Sequence, residues 1–215
     1  MPRERFGEQH TFLPRRAYLS FSEIEKVVLA CKPLGLEKVR ITGGEPLLRP
    51  DLHELVSRVS ATGVEVALTT NASLLSKQAA KLAEAGLDRV TVSLDALDPE
   101  VHSQMTDSST PVEAVLDGID AALEVGLTPL KVNCVVQRGV NETEVAPLIR
   151  RFRGTGVTVR FIEYMDVGRT NGWHLGQVVP SSNILAHLQG EFDLVPVESQ
   201  RPSDVARRWA HSNGS

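Results

Sequence analysis

The chain has 215 residues, of which 41% are hydrophobic and 23% are charged, a composition that is ordinary for one globular domain with its own core. Its formal net charge of −4 lacks the basic excess of a nucleic-acid binder, and no apolar run reaches the roughly 18–20 residues that cross a bilayer. The first ten residues lack the apolar stretch of a signal peptide. We therefore expect a cytoplasmic protein with no nucleic-acid partner and no membrane partner.

Short β-branched segments alternate with helical patterns along the chain. The predicted strands are 38–42, 64–70, 89–94, 130–136 and 157–162. Helical periodicity predicts helices at 23–34, 51–61, 75–85, 112–125 and 143–153, the first of them capped by Ser22 with Glu25 in the capping-box position. Glycine follows closely after each of the last four predicted helices. Glycine is common at this position because it easily adopts the left-handed conformation that ends a helix. This order predicts right-handed βαβ units and a parallel sheet.

The predicted strands alternate apolar and polar residues, which helps to choose between two α/β architectures. A parallel strand with helices on both sides should be apolar on both faces, as in a doubly wound sheet. Here one face is polar in strand after strand: it carries Arg40, Thr69, Ser93, Lys131 and Asn133. A partial (β/α) barrel whose polar face lines a cavity fits this pattern better than a doubly wound sheet.

The most unusual strand end is the turn at residues 40–46, with the sequence RITGGEP. Gly43 and Gly44 have no Cβ, so a ligand could approach their backbone closely, although a tight loop between strand and helix is the simpler reading. Ligands of parallel α/β folds gather at this end of the strands.

Two cations stand within predicted strands on the polar face. Arg40 and Lys131 would each be costly to bury without a partner. One reading pairs them with Glu45, Asp95 or Glu163. The other has them hold an anionic ligand such as a nucleotide triphosphate, with small polar groups nearby for hydroxyls and base edges.

The metal-ligating residue types show no clustered spacing. The two cysteines, Cys31 and Cys134, lie far apart in the sequence, and two free thiols are the simplest reading. None of the six histidines has a metal-binding spacing such as HExxH.

Five collinear segments together resemble one enzyme family. They are KVRITGGEPLLRPDL, LTTNASLL, AGLDRVTVSLDALD, KVNCVVQRGVN and RFIEYMDVG. In order and spacing they resemble the MoaA-type GTP 3′,8-cyclases, radical S-adenosylmethionine (SAM) enzymes of molybdenum-cofactor biosynthesis. The GGEP element is similar to the signature with which radical SAM enzymes hold the amino group of S-adenosylmethionine. The resemblance extends to about Trp209, and Ala72 stands where the family has glycine.

The resemblance implies a function and a set of site residues. An intact enzyme of this family is a lyase that converts GTP to 3′,8-cyclo-7,8-dihydro-GTP, with S-adenosylmethionine and two 4Fe–4S clusters as cofactors, and a homodimer is one option for it. Gly44, Ser93 and Met165 match positions that contact S-adenosylmethionine. Thr69 and the two strand cations, Arg40 and Lys131, match positions that contact GTP. The resemblance assigns no catalytic side chain and no metal ligand in this sequence.

The ends of the sequence depart from the family pattern. In the family a CxxxCxxC motif stands just before the residues that match Met1-Pro2, and a second cysteine group follows the residues that match DVARRWAHSNGS. We therefore expect residues 1–179 to form a partial barrel that lacks its first strand, and residues 180–215 to begin a truncated C-terminal region. Because no cluster ligand is present, we expect this chain to be inactive alone. A non-catalytic relative that binds GTP and S-adenosylmethionine, or another radical SAM enzyme, is the alternative.

Overall fold

Five parallel strands lie side by side in chain order in the computed structural model, which describes residues 17–166, 173–198 and 206–214. They are β1 (Lys38–Ile41), β2 (Glu65–Thr70), β3 (Arg89–Ser93), β4 (Leu130–Val136) and β5 (Thr158–Glu163). A doubly wound sheet reverses its strand order at a switch point, whereas a (β/α) barrel adds each strand beside the last. The observed order β1-β2-β3-β4-β5 is that of a partial (β/α) barrel, as the sequence predicted.

Helices precede, connect and follow these strands. They are α1 (Phe21–Cys31), α2 (Leu52–Ser60), α3 (Ala79–Glu84), α4 (Pro99–Thr106), α5 (Val112–Glu124), α6 (Val145–Phe152) and α7 (Ser181–Gln189). After α7, strands β6 (Leu194–Val197) and β7 (Arg208–His211) form a separate antiparallel pair. No helix in the described parts of the chain is both long enough and apolar enough to span a membrane.

The start of α1 differs from the prediction. Its cap is Ser20, whose hydroxyl accepts a hydrogen bond from the Glu23 amide at 3.3 Å, while the Ser20 amide donates to the Glu23 carboxylate at 2.7 Å. The predicted Ser22 cap is therefore wrong. Both serines have the spacing of a capping box, but the earlier start brings Phe21 under the Arg49 guanidinium, 4.4 Å from the ring centre.

The predicted helix 75–85 is not continuous. A 3₁₀ turn at Leu75–Lys77 precedes α3, because Gln78 takes a non-helical backbone conformation and its side chain donates to the Leu47 carbonyl at 3.1 Å. A second 3₁₀ turn, Glu142–Glu144, likewise shortens the predicted helix 143–153.

The sequence reading missed α4, α7 and the β6–β7 pair. The start of α4 carries an ordinary helix signal, because the Asp98 carboxylate accepts from the Glu100 and Val101 amides and Pro99 follows the cap.

The hydrophobic core lies between one face of the sheet and the helices. Strand residues on that face, such as Val66, Val90 and Val132, are completely buried against helix residues such as Val56 and Ile119. Side chains alternate along a strand, so the neighbouring residues of each strand point to the opposite face. The packed core therefore fixes which side chains the other face presents.

Candidate functional site

The face of the sheet opposite the core carries polar side chains in register. The Cα partners place Thr69, Thr91, Lys131 and Thr158 in one row across β2 to β5. The next row holds three residues, Ser93, Asn133 and Arg160. We call this surface the polar face; it comprises Lys38, Arg40, Glu65, Thr69, Arg89, Thr91, Ser93, Lys131, Asn133, Thr158 and Arg160.

Positive charge is concentrated around Lys131. Burial lowers the pKa of this half-buried ammonium group, and nearby cations lower it further; they are, in order of effect, Arg160, Arg208, Arg89 and Lys38. The local environment therefore disfavours the charged form of Lys131, and a bound anion would offset this repulsion.

Few acidic groups compensate these cations. Glu65 lies 3.0 Å from the Lys38 ammonium and 2.6 Å from Arg89 Nε. Within the described ranges, Arg40, Lys131 and Arg160 form no ion pair with a carboxylate. The predicted alternative, in which acidic residues near the strand ends neutralise the strand cations, is wrong for the part of the chain that is described.

Arg40 and Thr69, which the family resemblance matches to GTP contacts, are in direct contact. Arg40 Nη1 donates to Thr69 Oγ1 at 2.9 Å and to Thr91 Oγ1 at 3.3 Å. Arg40 is exposed rather than buried as predicted, because β1 has a neighbouring strand on only one side among the described residues. The two hydroxyls orient the guanidinium without neutralising its charge, so its remaining donors stay available.

The glycine turn after β1 is open to an approaching ligand. Gly43 has a φ of 154°, a backbone conformation that favours glycine. A methyl group placed on Gly43 or Gly44 would meet no heavy atom within 4 Å. The backbone of this turn is therefore accessible, as the ligand-binding reading of the turn requires.

Glu45 anchors the glycine turn to the end of β2. Its Oε1 accepts from the Leu47 amide at 2.9 Å and from the Thr70 hydroxyl at 2.7 Å, and its Oε2 accepts from the Asn71 amide at 2.7 Å. Both carboxylate oxygens are thus occupied by the protein. Three such bonds to an ionised carboxylate make a strong local anchor.

Ala72 explains why glycine is expected at its position. Its φ is 60°, in the left-handed region that glycine adopts most easily, and its side chain is fully buried. The turn packs against Gly118 of α5, where an added Cβ would stand 2.4 Å from the Ala72 carbonyl oxygen. Alanine at position 72 is therefore accommodated at the cost of backbone strain, and Gly118 leaves room for the Ala72 carbonyl group.

The three residues that resemble S-adenosylmethionine contacts all lie at the carboxyl ends of strands. Gly44 follows β1, Ser93 ends β3, and Met165, which is 54% exposed, follows β5. The carboxyl ends of parallel strands share one edge of the sheet, so these residues line the same edge. Beside Ser93, the Oδ1 atom of Asn133 is buried and has no hydrogen-bond partner among the described residues.

Other carboxylates at this edge bind backbone amides. Asp95 Oδ1 accepts from the Val135 amide at 2.7 Å, and burial raises the pKa of Asp95 although that hydrogen bond opposes the change. Glu163 Oε1 accepts from the Ser181 amide at 2.6 Å and so holds the start of α7.

Sequence reasoning missed several charged members of the site. Arg160 alternates onto the polar face of β5, so the strand pattern could have identified it. Arg208 lies far along the chain in β7, and no local pattern connects it with Lys131.

Comparison with known proteins gives one family and a group of close relatives. The sequence profile described as the Radical SAM superfamily matches residues 5–152. A GTP 3′,8-cyclase of Acidothermus cellulolyticus is 46% identical over the whole chain, and one of Xanthomonas axonopodis pv. citri is also 46% identical over the whole chain. The chain spans 60% and 65% of the lengths of these two curated relatives.

A solved structure agrees with the fold. Streptococcus suis SuiB bound to S-adenosylmethionine superposes with a TM-score of 0.64 at 18% sequence identity, covering 84% of this chain and 40% of that one. At this identity the likeness bears on the fold alone, which is the parallel α/β arrangement described above.

Proposed function

The chain belongs to the radical SAM superfamily, and from that premise we propose that it forms the nucleotide-binding and S-adenosylmethionine-binding part of a GTP 3′,8-cyclase. The concentration of uncompensated positive charge on the polar face is the observation that carries this proposal. In the intact enzyme the reaction is the conversion of GTP to 3′,8-cyclo-7,8-dihydro-GTP in molybdenum-cofactor biosynthesis. The relatives at 46% identity that bear this name support it.

The GTP side of the site consists of Arg40, Thr69 and Lys131. A triphosphate would satisfy the guanidinium of Arg40, which the two threonine hydroxyls already orient, and would relieve the repulsion between Lys131 and its cationic neighbours. Arg160 and Arg208 extend the same positive surface. A polyanion is the ligand that this arrangement favours most.

The S-adenosylmethionine side consists of Gly44, Ser93 and Met165. The open backbone of the glycine turn suits a ligand whose polar end hydrogen-bonds main-chain groups. The Ser93 hydroxyl has no protein partner among the described residues, which leaves it free to bind a ligand hydroxyl. When bound, S-adenosylmethionine supplies the radical chemistry of the superfamily, whereas these residues bind and orient it.

The iron–sulfur clusters of the superfamily do not fit the residues described here. Among those residues, no group of three or more His, Cys, Asp and Glu side chains is placed to hold a metal ion. The sequence has two cysteines. Cys31 ends α1, whereas Cys134 is buried in β4, where burial raises the pKa of its thiol. We assign no step of the reaction to a cluster in this chain.

This disagreement leads to a direct test with the 215-residue polypeptide. After anaerobic incubation with iron and sulfide, we expect no 4Fe–4S absorbance and no conversion of GTP, because two widely separated thiols do not form a four-ligand site. Cluster absorbance together with the cyclised product would contradict this expectation.

Calorimetric titration with GTP tests the proposed site. We expect the chain to bind GTP, and Arg40→Ala and Lys131→Ala each to weaken binding about 10- to 100-fold, the effect of losing a charge-assisted hydrogen bond. Guanosine should bind far more weakly than GTP, because it lacks the phosphates.

Lys81→Ala is the matched control, since Lys81 is exposed on α3 and its loss changes the net charge equally. Equal weakening by all three variants, or GTP binding no tighter than guanosine binding, would overturn the assignment. A chain that binds GTP but no S-adenosylmethionine would contradict the S-adenosylmethionine side of the proposal.

The remaining parts of the proposal follow from the family resemblance. They are a partial barrel at residues 1–179, a separate C-terminal region from residue 180, a cytoplasmic location and a homodimer for the intact enzyme. Size-exclusion chromatography with light scattering would test the last of these.

A further inference from the structure

The ladder between β3 and β4 ends just where the proposed S-adenosylmethionine site begins. Ser93 and Asn133 are the last Cα partners, and the Leu94 amide still donates to the Asn133 carbonyl at 3.0 Å. Beyond this point the two strands no longer pair directly. We call residues 94–98 the β3 exit segment. Hydrogen bonds from side chains, rather than from a neighbouring strand, hold most of its backbone in place.

Asn141 bridges the gap between the two strands. Its side chain is fully buried, and its Nδ2 donates to the Asp95 carbonyl and to the Val135 carbonyl, both at 2.8 Å. Its Oδ1 accepts from the Gln137 amide at 2.8 Å. Both amide protons and the carbonyl oxygen are therefore used, and no other side chain of this size offers two donors and one acceptor in this arrangement.

Glu144 holds the far end of the β3 exit segment. Its carboxylate is 8% exposed, and its Oε2 accepts from the Leu97 amide at 2.7 Å and from the Asp98 amide at 3.1 Å. A buried carboxylate that accepts two backbone amides is a strong anchor. Asn141 and Glu144 stand within one short turn after β4, so a single structural unit fixes both ends of the segment.

The β3 exit segment begins directly after Ser93. The position of the Ser93 hydroxyl depends on the backbone at the end of β3, because that hydroxyl has no protein hydrogen bond among the described residues. We propose that Asn141 and Glu144 are positioning residues for S-adenosylmethionine, acting through the β3 exit segment on Ser93. This inference rests on the proposed function, in which Ser93 contacts that ligand.

The test compares the two ligands in the same variant. Asn141→Asp keeps the shape of the side chain. It replaces the Nδ2 donor with a carboxylate oxygen, which cannot donate to the Asp95 and Val135 carbonyls as Nδ2 does in the wild type. We expect it to weaken binding of S-adenosylmethionine about tenfold or more in calorimetry. It should change binding of GTP less than about twofold, because the GTP contacts lie on β1, β2 and the first half of β4. Glu144→Gln is the second variant, for the case in which Asn141→Asp does not fold.

Val59→Ala is the control for a merely structural role. Val59 of α2 is completely buried in the core, so this variant lowers the urea midpoint without touching the exit segment. It should leave both affinities unchanged at temperatures where it is folded. Ser93→Ala should reproduce the selective loss of S-adenosylmethionine binding.

Four results would overturn the inference, and they are distinguishable. If Ser93→Ala weakens S-adenosylmethionine binding but Asn141→Asp and Glu144→Gln do not, the positioning role fails and the proposed function stands. If the variants weaken both ligands equally, or if Val59→Ala produces the same split, the effect is general destabilisation. If the wild-type chain binds neither ligand, the proposed function fails and this inference fails with it.

Discussion

The acidic and the basic residues of this site are used in opposite ways. At the carboxyl edge of the sheet, four acidic side chains each accept a hydrogen bond from at least one backbone amide. They are Glu45, Asp95, Glu144 and Glu163. On the polar face, the cations around Lys131 have little compensation beyond Glu65 within the parts of the chain that the structure describes. The acids are part of the scaffold, whereas the cations remain available to a ligand. Removing an acid should therefore cost stability, and removing a cation should cost binding.

The largest effect should come from breaking an acidic anchor. Glu45→Ala removes the hydrogen bonds that its carboxylate accepts from two backbone amides and from the Thr70 hydroxyl. We therefore expect the free energy of unfolding to fall by about 2–4 kcal/mol. Urea denaturation followed by circular dichroism measures it. Glu54→Ala is the control, because Glu54 is exposed in the first turn of α2, and it should change stability by less than about 1 kcal/mol. Similar losses in the two variants would contradict the scaffold role.

A smaller effect, of opposite sign, should follow the loss of a cation. Burial and neighbouring cations lower the folded-state pKa of Lys131 below its ordinary value of 10.5, so its charged form destabilises the fold at neutral pH. Lys131→Gln should therefore raise the urea midpoint while it weakens GTP binding.

The pH dependence provides the check on Lys131. Between the lowered pKa and 10.5 the unfolded chain binds more protons than the folded chain, so wild-type stability rises with pH across that window. The advantage of Lys131→Gln should accordingly shrink as the pH approaches 10.5. Lys81→Gln is the control, because Lys81 is exposed on α3. An advantage that is absent at neutral pH, or that grows with pH, would show that the cation is already compensated.

The smallest effect should come from Asp95→Asn, which separates the charge of an acid from its hydrogen bond. The amide oxygen of asparagine can still accept from Val135, and the variant avoids burying a charge, so stability at neutral pH should change by about 1 kcal/mol or less. Because burial raises the folded-state pKa of Asp95 above 3.8, wild-type stability falls as the pH rises from 3.8 through that pKa.

The stability of Asp95→Asn relative to the wild type should therefore increase through this window. Urea denaturation of both proteins at a series of pH values from about 3 to 7 measures the difference. A difference that decreases with rising pH would show that the ionised carboxylate is stabilising there.

Much of the fold could be predicted because the strands have a strong alternating pattern. The predicted strand 130–136 is confirmed at both ends by β4. The first three predicted strands each differ from the structure by one residue at one end, and the predicted strand 157–162 is shifted by one residue relative to β5. Helix boundaries were less reliable, since tertiary contacts decided them: Phe21 under Arg49 extends α1, and the bond from Gln78 to Leu47 interrupts the predicted helix 75–85.

The candidate site was predictable only in part. Alternation placed Arg40, Thr69 and Lys131 on one face, which the strand register confirms. The role of Glu144 was not predictable, because its partners are backbone amides of a distant segment. Every residue except proline has a backbone amide, so the sequence does not show which amides a carboxylate will contact. The contacts with S-adenosylmethionine and GTP stay predictions until the titrations are made.

The order of the strands has a consequence for how the chain folds. Each strand of the sheet pairs with the next one in the sequence, so each βα unit can dock on its predecessor as the chain leaves the ribosome. The bonds from Asn141 and Glu144 to the β3 exit segment reach back 46 and 47 residues. We therefore expect the sheet to grow strand by strand during synthesis, and the end of β3 to take its final shape only after β4 and the turn behind it have emerged.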